Sequence, residues 1–508
     1  VNELTIYYSG ARCGAGKTDW IVASTAQQPG RSVIAVDRRE VMDGLKERLD
    51  NAAMEAGHRP VIDIIRSPLS SADIEGTSNV RRDFRMAADK HRHRPHVIVI
   101  VTHEALRGSD LTGFTGWDLY IDEVPSIIDM AECCTPAQID HFAACYRLVP
   151  VTPGVSQIVA TENTPTVAMY AEDQDLSEWV SFRRRVGSEQ GVFTNLTDWT
   201  DMAGSNHWQW WSIWSPYELS AFNRIVMVGN AFMSSLTAKV IQHNFPQVEL
   251  KEFHIGSRPW QPRNVTIRYF ADNHVAGSNL WFGCPETKRK GIRPVGEICP
   301  ARWMDWVRNN TDHGQHVWTS NVTVAMWLTG TDIPNRITPK VAGSNKYRDR
   351  TVASIIYSSK VRPTLIPVYR ALGIEPEDVV RAQEHEDIAQ FAMRTSLRMP
   401  NDDRAVEIRV YDYEQASILK RYLEDNYPFA VALVYQDIGI NHIVKARPGP
   451  KVPERTQSEQ AAHAVQVRKT NAEKAKERRD AEKAAKIAAG TYKPRGRPKG
   501  WRKVKDHD

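Results

Sequence analysis

Short apolar runs alternate with helical patterns through the first half of the chain, and few folds accept that alternation. The runs Leu4–Tyr8, Ser32–Val36, Val97–Val101, Leu119–Ile121 and Arg224–Val228 are of strand length and almost free of polar residues. A strand apolar at nearly every position is buried on both faces. Stretches such as Arg39–Ala56 carry apolar residues at helical spacing between them. Buried strands separated by helices predict a parallel sheet covered by helices. A second set of runs follows: VTIRYF from Val265, HVWTS from His316, VASIIYS from Val352, AVEIRVYD from Ala405 and FAVALVY from Phe429. The Gly- and Pro-bearing stretch Gly256–Pro262 separates the sets and reads as a linker.

The chain has 508 residues, too many for one hydrophobic core. We expect an α/β protein: a domain over 1–255, a second over 256–447, and a flexible tail over 448–508. Residues 150–216 break the alternation and read as an insertion in the first domain. It contains Arg183–Arg185 and the cluster Trp199, Trp208, Trp210, Trp211 and Trp214. Clustered tryptophans form a local core; stacking on unpaired bases is the alternative.

Charge is unevenly placed. The segment Lys451–Asp508 holds 17 Lys and Arg against 8 Asp and Glu, and the rest of the chain 49 against 53. A basic tail on a mildly acidic body points to a polyanionic partner. The six cysteines have no disulfide-framework spacing. Cys133, Cys134, His141 and Cys145 match no zinc spacing, and buried thiols are the expectation there. The His-rich stretch Asp89–His96 reads as an exposed basic loop. No apolar run is long enough to span a bilayer, and no signal peptide is recognised, so a cytoplasmic protein is expected.

Immediately behind the first apolar run lies ARCGAGKT, Ala11–Thr18. A glycine-rich turn between a strand and a helix aims backbone N–H groups at phosphates. Ala11 stands where the pattern expects its first glycine, while Gly16, Lys17 and Thr18 fit. Cys13, Gly14, Ala15, Gly16, Lys17 and Thr18 are the candidate ATP-binding residues. Lys17 would neutralise the β- and γ-phosphates, and the Thr18 hydroxyl would ligate Mg²⁺. About a hundred residues on, WDLYIDEVP places Asp122 and Glu123 at the end of an apolar strand. One carboxylate, Asp122, can hold Mg²⁺, and Glu123 can polarise the attacking water.

Here the chain resembles a superfamily 2 helicase of the DEAD-like type, in particular phage-encoded ones. ARCGAGKT looks like motif I and DEVP (Asp122–Pro125) like the DExx box. AVDRRE (Ala35–Glu40) is similar to motif Ia and VTHEAL (Val101–Leu106) to a threonine-containing segment. Together they imply nucleic-acid contacts at Arg38, Thr102 and His103. IVMVGNAFMSS sits where motif III is expected, with Gly229, Asn230 and Ala231 in place of Ser-Ala-Thr. KVAGSNKYRD (Lys340–Asp349) looks like motif V, which makes Gly229, Asn230, Gly343, Asn345 and Asp349 candidate coupling residues. QFAMRTSLR (Gln390–Arg398) looks like motif VI, with Gln390, Arg394 and Arg398 catalytic and placed on one helical face by their spacing.

The resemblance implies two RecA-like domains with the ATP site in the cleft between them. It implies ATP-dependent DNA unwinding or translocation in phage replication or recombination, in the host cytoplasm, with a monomer favoured. The tail segment YKPRGRPKGWRK (Tyr492–Lys503) resembles an AT-hook, in which Arg495 and Arg497 would lie in a narrow minor groove. Lys499 would add a phosphate contact. Two alternatives stay open: a terminase-type packaging motor, and a DNA-binding module whose P-loop is vestigial.

Overall fold

The structure is a computed structural model that describes residues 3–67, 80–134, 139–172, 179–195, 199, 207–256, 258–277, 299–327, 333–339, 346–441, 480 and 484. The chain divides into two compact units. The first joins Val1–Asp129 to Ile213–Gly449, and the second contains Met130–Ser212.

The first unit contains two parallel sheets, the expected α/β architecture. Its first sheet has β1 (Leu4–Ser9), β2 (Arg31–Val36), β3 (Val61–Ile64), β4 (Val97–Thr102), β5 (Asp118–Asp122), β11 (Arg224–Val228) and β12 (Val248–Glu252). The spatial order is β12-β1-β11-β5-β2-β4-β3, with every pair parallel. The five expected runs are all strands. The two that escaped, β3 and β12, close the sheet at its edges. They are short, and β12 reads Val-Glu-Leu-Lys-Glu, which lacks a doubly buried pattern. Helix α1 (Lys17–Ala26) and helix α2 (Met42–Glu55) pack on one face. Met42, Leu45, Leu49 and Ala53 recur at helical spacing and point into that core.

The second parallel sheet has β13 (Arg263–Tyr269), β14 (His316–Ser320), β15 (Val352–Ile356), β16 (Val406–Val410) and β17 (Phe429–Tyr435), in the order β14-β15-β16-β13-β17. Both faces are covered. The helices Glu386–Ala392 and Tyr413–Asn426 pack on one and Cys299–Asn309 on the other, over separate clusters of buried residues. The Asp412 side chain accepts the Gln415 N–H at 2.8 Å and so starts the helix Tyr413–Asn426.

The second unit is built on an antiparallel sheet. Its strands are β6 (Ile128–Cys134), β7 (Tyr146–Thr152), β8 (Val155–Ala160), β9 (Val192–Asn195) and β10 (His207–Ile213), ordered β6-β10-β9-β8-β7. By contacts this unit starts at Met130. Its tryptophans form a core: Trp208 stacks on Trp179 with ring centroids 5.6 Å apart, and Phe142 and Phe182 surround the pair. Among the described residues no helix is long and apolar enough to cross a membrane.

In the stretch Asp89–His96 the loop 92–95 is exposed as expected, but two histidines flanking it are not. His91 and His96 are buried. The His91 ring shares a hydrogen bond with the Asp63 carboxylate at 2.8 Å, and the His96 ring meets the Thr25 carbonyl at 2.8 Å. Each imidazole found a partner in the adjoining strand or helix, which a composition-based reading of a His-rich run does not foresee.

Candidate nucleotide site in the first unit

Strand register builds the site. Ser9 at the end of β1 lies opposite Val228, and Val228 lies opposite Asp122. Three neighbouring strands therefore end together, and their loops share one crevice. Ligands of parallel α/β sheets bind outside the carboxyl ends of the strands for this reason.

From β1 the chain turns through Gly14 at φ +74° and Gly16 at φ +91°, a region that favours glycine. Gly16 caps α1 in the left-handed conformation, and the first N–H groups of the helix face the crevice. A Cβ on Gly14 would stand 3.0 Å from the Trp260 ring, so the loop is also closely covered. Lys17 is buried, and its Nζ donates to the carbonyls of Ala11 at 2.8 Å and Arg12 at 3.1 Å. The Thr18 hydroxyl donates to Asp122 Oδ2 at 2.8 Å. Glu123 follows with φ 68°, a rare conformation for a side chain of this kind.

The second sheet supplies the opposite wall. A cavity of about 790 Å³ is lined by Gly16, Lys17 and Glu123 from the first sheet and by Gln390, Arg394 and Arg398 from the second. The linker closes part of it: Arg258 pairs with Asp19 at 2.5 Å, and Asp19 also pairs with Arg48 of α2. Arg12 lies over the rings of Trp260 and Tyr427, 4.7 and 4.9 Å from their centroids. Tyr427 donates its hydroxyl to the Cys13 carbonyl at 2.8 Å.

Burial shapes the electrostatics. It raises the Asp122 carboxyl to about 6, with help from the neighbouring Glu123 charge. It raises Glu386 to about 7 and the Cys13 thiol to about 11. Burial, with Arg398 nearby, lowers the Arg394 guanidinium to about 10. Among the described residues no group of three or more His, Cys, Asp or Glu could hold a metal unaided. Mg²⁺ does not need one, since one or two protein oxygens together with substrate phosphates suffice. The Thr18 hydroxyl and the Asp122 carboxylate, already in contact, form a hard oxygen donor pair of that kind.

Several expectations need correcting. Gln390, Arg394 and Arg398 do not share a helical face. The helix ends at Ala392, and Arg398 lies in a separate turn, Ser396–Arg398. Thr395 breaks the helix: its hydroxyl donates to the Ala392 carbonyl and accepts the Leu397 N–H, so local side-chain bonds replace helical ones. All three side chains nevertheless line the same cavity. Thr102 and His103 both bond within the first unit. Thr102 caps the helix His103–Arg107, while His103 is buried with its ring against the Asp122 carbonyl at 3.1 Å. Arg38 pairs with Asp37 at 3.1 Å and lines the nucleotide cavity. The Asp349 carboxylate is exposed beside Arg350. Gly343, Asn345, Arg495, Arg497 and Lys499 lie outside the described residues.

Sequence reasoning missed Trp260, Tyr427 and Glu386. Trp260 and Tyr427 sat in what read as a linker and a strand approach. Only the order of the sheets brings them to the P-loop.

The fold and cleft together define a two-sheet α/β protein with a glycine-rich loop facing arginines across a crevice. No family model and no curated protein sequence matches the chain. Among solved structures it is similar to Xpd4 of S. tokodaii, at 9% identity and a TM-score of 0.44, covering 85% of this chain and 96% of that one. It is also similar to S. cerevisiae Dbp5 bound to Gle1 and IP6, at 10% identity and 0.31, covering 92% and 88%. Against T4 UvsW the values are 9% and 0.21, covering 86% and 74%. Likenesses this distant carry no functional argument, and the reading that follows rests on the cleft.

Proposed function

We propose that the chain is a nucleic-acid-dependent ATPase that unwinds or moves along DNA, with ATP as substrate and Mg²⁺ as its metal. One observation carries the reading: the P-loop, the Thr18–Asp122 contact and two arginines from a second parallel sheet line a single cavity.

In this reading the loop N–H groups and Lys17 hold the phosphates. Lys17 exchanges its two carbonyl partners for phosphate oxygens, so it is poised without being left unpaired. Thr18 and Asp122 hold Mg²⁺, which screens the phosphate charge when bound. Glu123 orients the attacking water and takes its proton. Arg394 and Arg398 stabilise charge on the transferring phosphoryl group from across the cleft, so turnover requires both sheets. Asn230 and Gly229 transmit the state of that cleft. The tail, with Arg495, Arg497 and Lys499, adds duplex contact. A role in phage replication or recombination rests on the sequence resemblance alone.

Binding of a fluorescent ATP analogue and steady-state hydrolysis test the reading. Lys17→Ala should lose nucleotide binding. Arg394→Ala should bind nucleotide but turn over about 10³-fold more slowly, as for other arginine fingers. A wild-type protein that neither binds nor hydrolyses ATP would overturn the proposal.

A further inference from the structure

Beside the nucleotide cavity lies a second one of about 630 Å³, and Asp37, Glu123 and Gln390 line both. One group of polar side chains stands where the two meet. Asn230, just past the end of β11, is buried, and its Nδ2 lies 2.9 Å and 2.8 Å from the two oxygens of Glu386. Tyr422 donates its hydroxyl to the Asn230 carbonyl oxygen at 3.3 Å. Gln390 donates its Nε2 to Glu386 Oε1 at 2.8 Å. Glu386 and Gln390 are one helical turn apart on the helix Glu386–Ala392.

The chemistry of the set is one-directional. Asn230 and Gln390 both present amide N–H groups, and the ionised carboxylate between them only accepts. An ionised acid at 386 accepts Gln390 and Asn230 at Oε1 and Asn230 again at Oε2, while an amide there keeps the Oε1 bonds but sets its NH₂ group against the NH₂ of Asn230. The carboxylate also joins the sheets. Asn230 belongs to the first and Glu386 and Gln390 to the second, so parting the cleft breaks the Asn230 bonds and leaves Glu386, the partner of Gln390, free to turn.

Taking the ATPase reading as its basis, we infer that Glu386 is a positioning residue. Its carboxylate clasps Asn230 to Gln390, so the orientation of Gln390 beside Glu123 depends on closure of the two sheets. Hydrolysis is then coupled to closure through a side chain that touches neither nucleotide nor metal.

The test uses the full chain and four variants: Glu386→Gln, Glu386→Ala, Asn230→Asp and the double Asn230→Asp, Glu386→Gln. The double variant exchanges the carboxylate and the amide and restores a donor facing an acceptor. Fluorescent ATP-analogue affinity and DNA-stimulated kcat are both measured. Each single variant should keep nucleotide Kd within about twofold and lose about tenfold or more in stimulated kcat, the pattern of a group needed for turnover rather than binding. The double variant should recover to within about threefold of wild type. If Glu386→Ala does not fold, the isosteric Glu386→Gln and the double variant still decide the matter. Wild-type kcat in Glu386→Gln, or a double variant as slow as the singles, would overturn the inference while leaving the ATPase reading intact. An inert wild-type protein would overturn both.

Discussion

Gly229 closes β11 against the chain that follows the acidic pair, and Gly229→Ala is a sharp test of that packing. A Cβ there would stand 2.2 Å from Val124 Cγ2 and 3.2 Å from the Val124 nitrogen. Carbon atoms in contact sit about 3.5–4.0 Å apart, so Val124 must give way by about 1.5 Å. A valine has little χ1 freedom with which to absorb that, and the nitrogen contact persists whichever rotamer it takes. Forced overpacking of this kind costs about 1–3 kcal/mol. The displaced nitrogen belongs to the peptide bond joining Val124 to Glu123, so the shift also reaches the residue held at φ 68°. Gly229→Ala should lower the unfolding free energy in urea by about 1–3 kcal/mol and slow ATP hydrolysis, with nucleotide affinity little changed. Adding Val124→Ala removes Cγ2 and should restore most of the turnover. Wild-type stability and turnover in Gly229→Ala would refute the reasoning, as would a double variant no better than the single.

Other predictions follow from the same geometry. Asp122 has a folded-state pKa near 6, raised by burial and by Glu123. The stability tied to its protonated form is complete below the unfolded value, near 4, and is lost as pH rises through about 6. Mg²⁺ needs the ionised form, so the Mg²⁺ concentration for half-maximal hydrolysis should rise as pH falls below about 6, by about tenfold per unit; a flat profile would remove Asp122 as ligand. Trp208→Ala should destabilise the second unit by about 3–5 kcal/mol, measured by denaturant unfolding, because the ring is buried against Trp179 and Phe182. Truncation after Arg447 should leave the melting temperature unchanged and weaken duplex binding, with the log–log salt slope reduced by about 0.9 per lost phosphate contact. Arg495→Ala with Arg497→Ala should abolish any preference for A·T-rich duplex; equal weakening on all duplexes would make the segment a generic basic tail.

Much of the first unit was legible because its strands are buried on both faces. Val97–Thr102 reads Val-Ile-Val-Ile-Val-Thr and is buried over its first five residues, and no amphipathic helix has that pattern. Lys17, Thr18 and Asp122 were singled out for a different reason, since phosphate and Mg²⁺ chemistry demands particular residue types behind particular strands, and the fold brings the Thr18 hydroxyl onto Asp122. The edge strand β12 was not legible, because alternating charges at a sheet edge need no apolar run. The one-face arrangement of Gln390, Arg394 and Arg398 failed because spacing alone does not register a threonine that bonds back to its own helix. Glu386 and Tyr427 escaped because their partners, Asn230 and Cys13, lie in the other sheet, far along the chain. Such contacts are set by packing of the sheets and leave no local mark in sequence.

The most direct measurement is ATP turnover by wild-type protein and by Glu123→Gln, with and without DNA, alongside nucleotide affinity for both. The proposed function predicts DNA-stimulated hydrolysis by the wild type. It predicts near wild-type ATP affinity in Glu123→Gln, because Lys17, Thr18 and Asp122 are untouched, with turnover reduced by about a hundredfold or more for loss of the base. Equal turnover in the two proteins would contradict the account, as would a wild type that does not hydrolyse ATP in the presence of DNA.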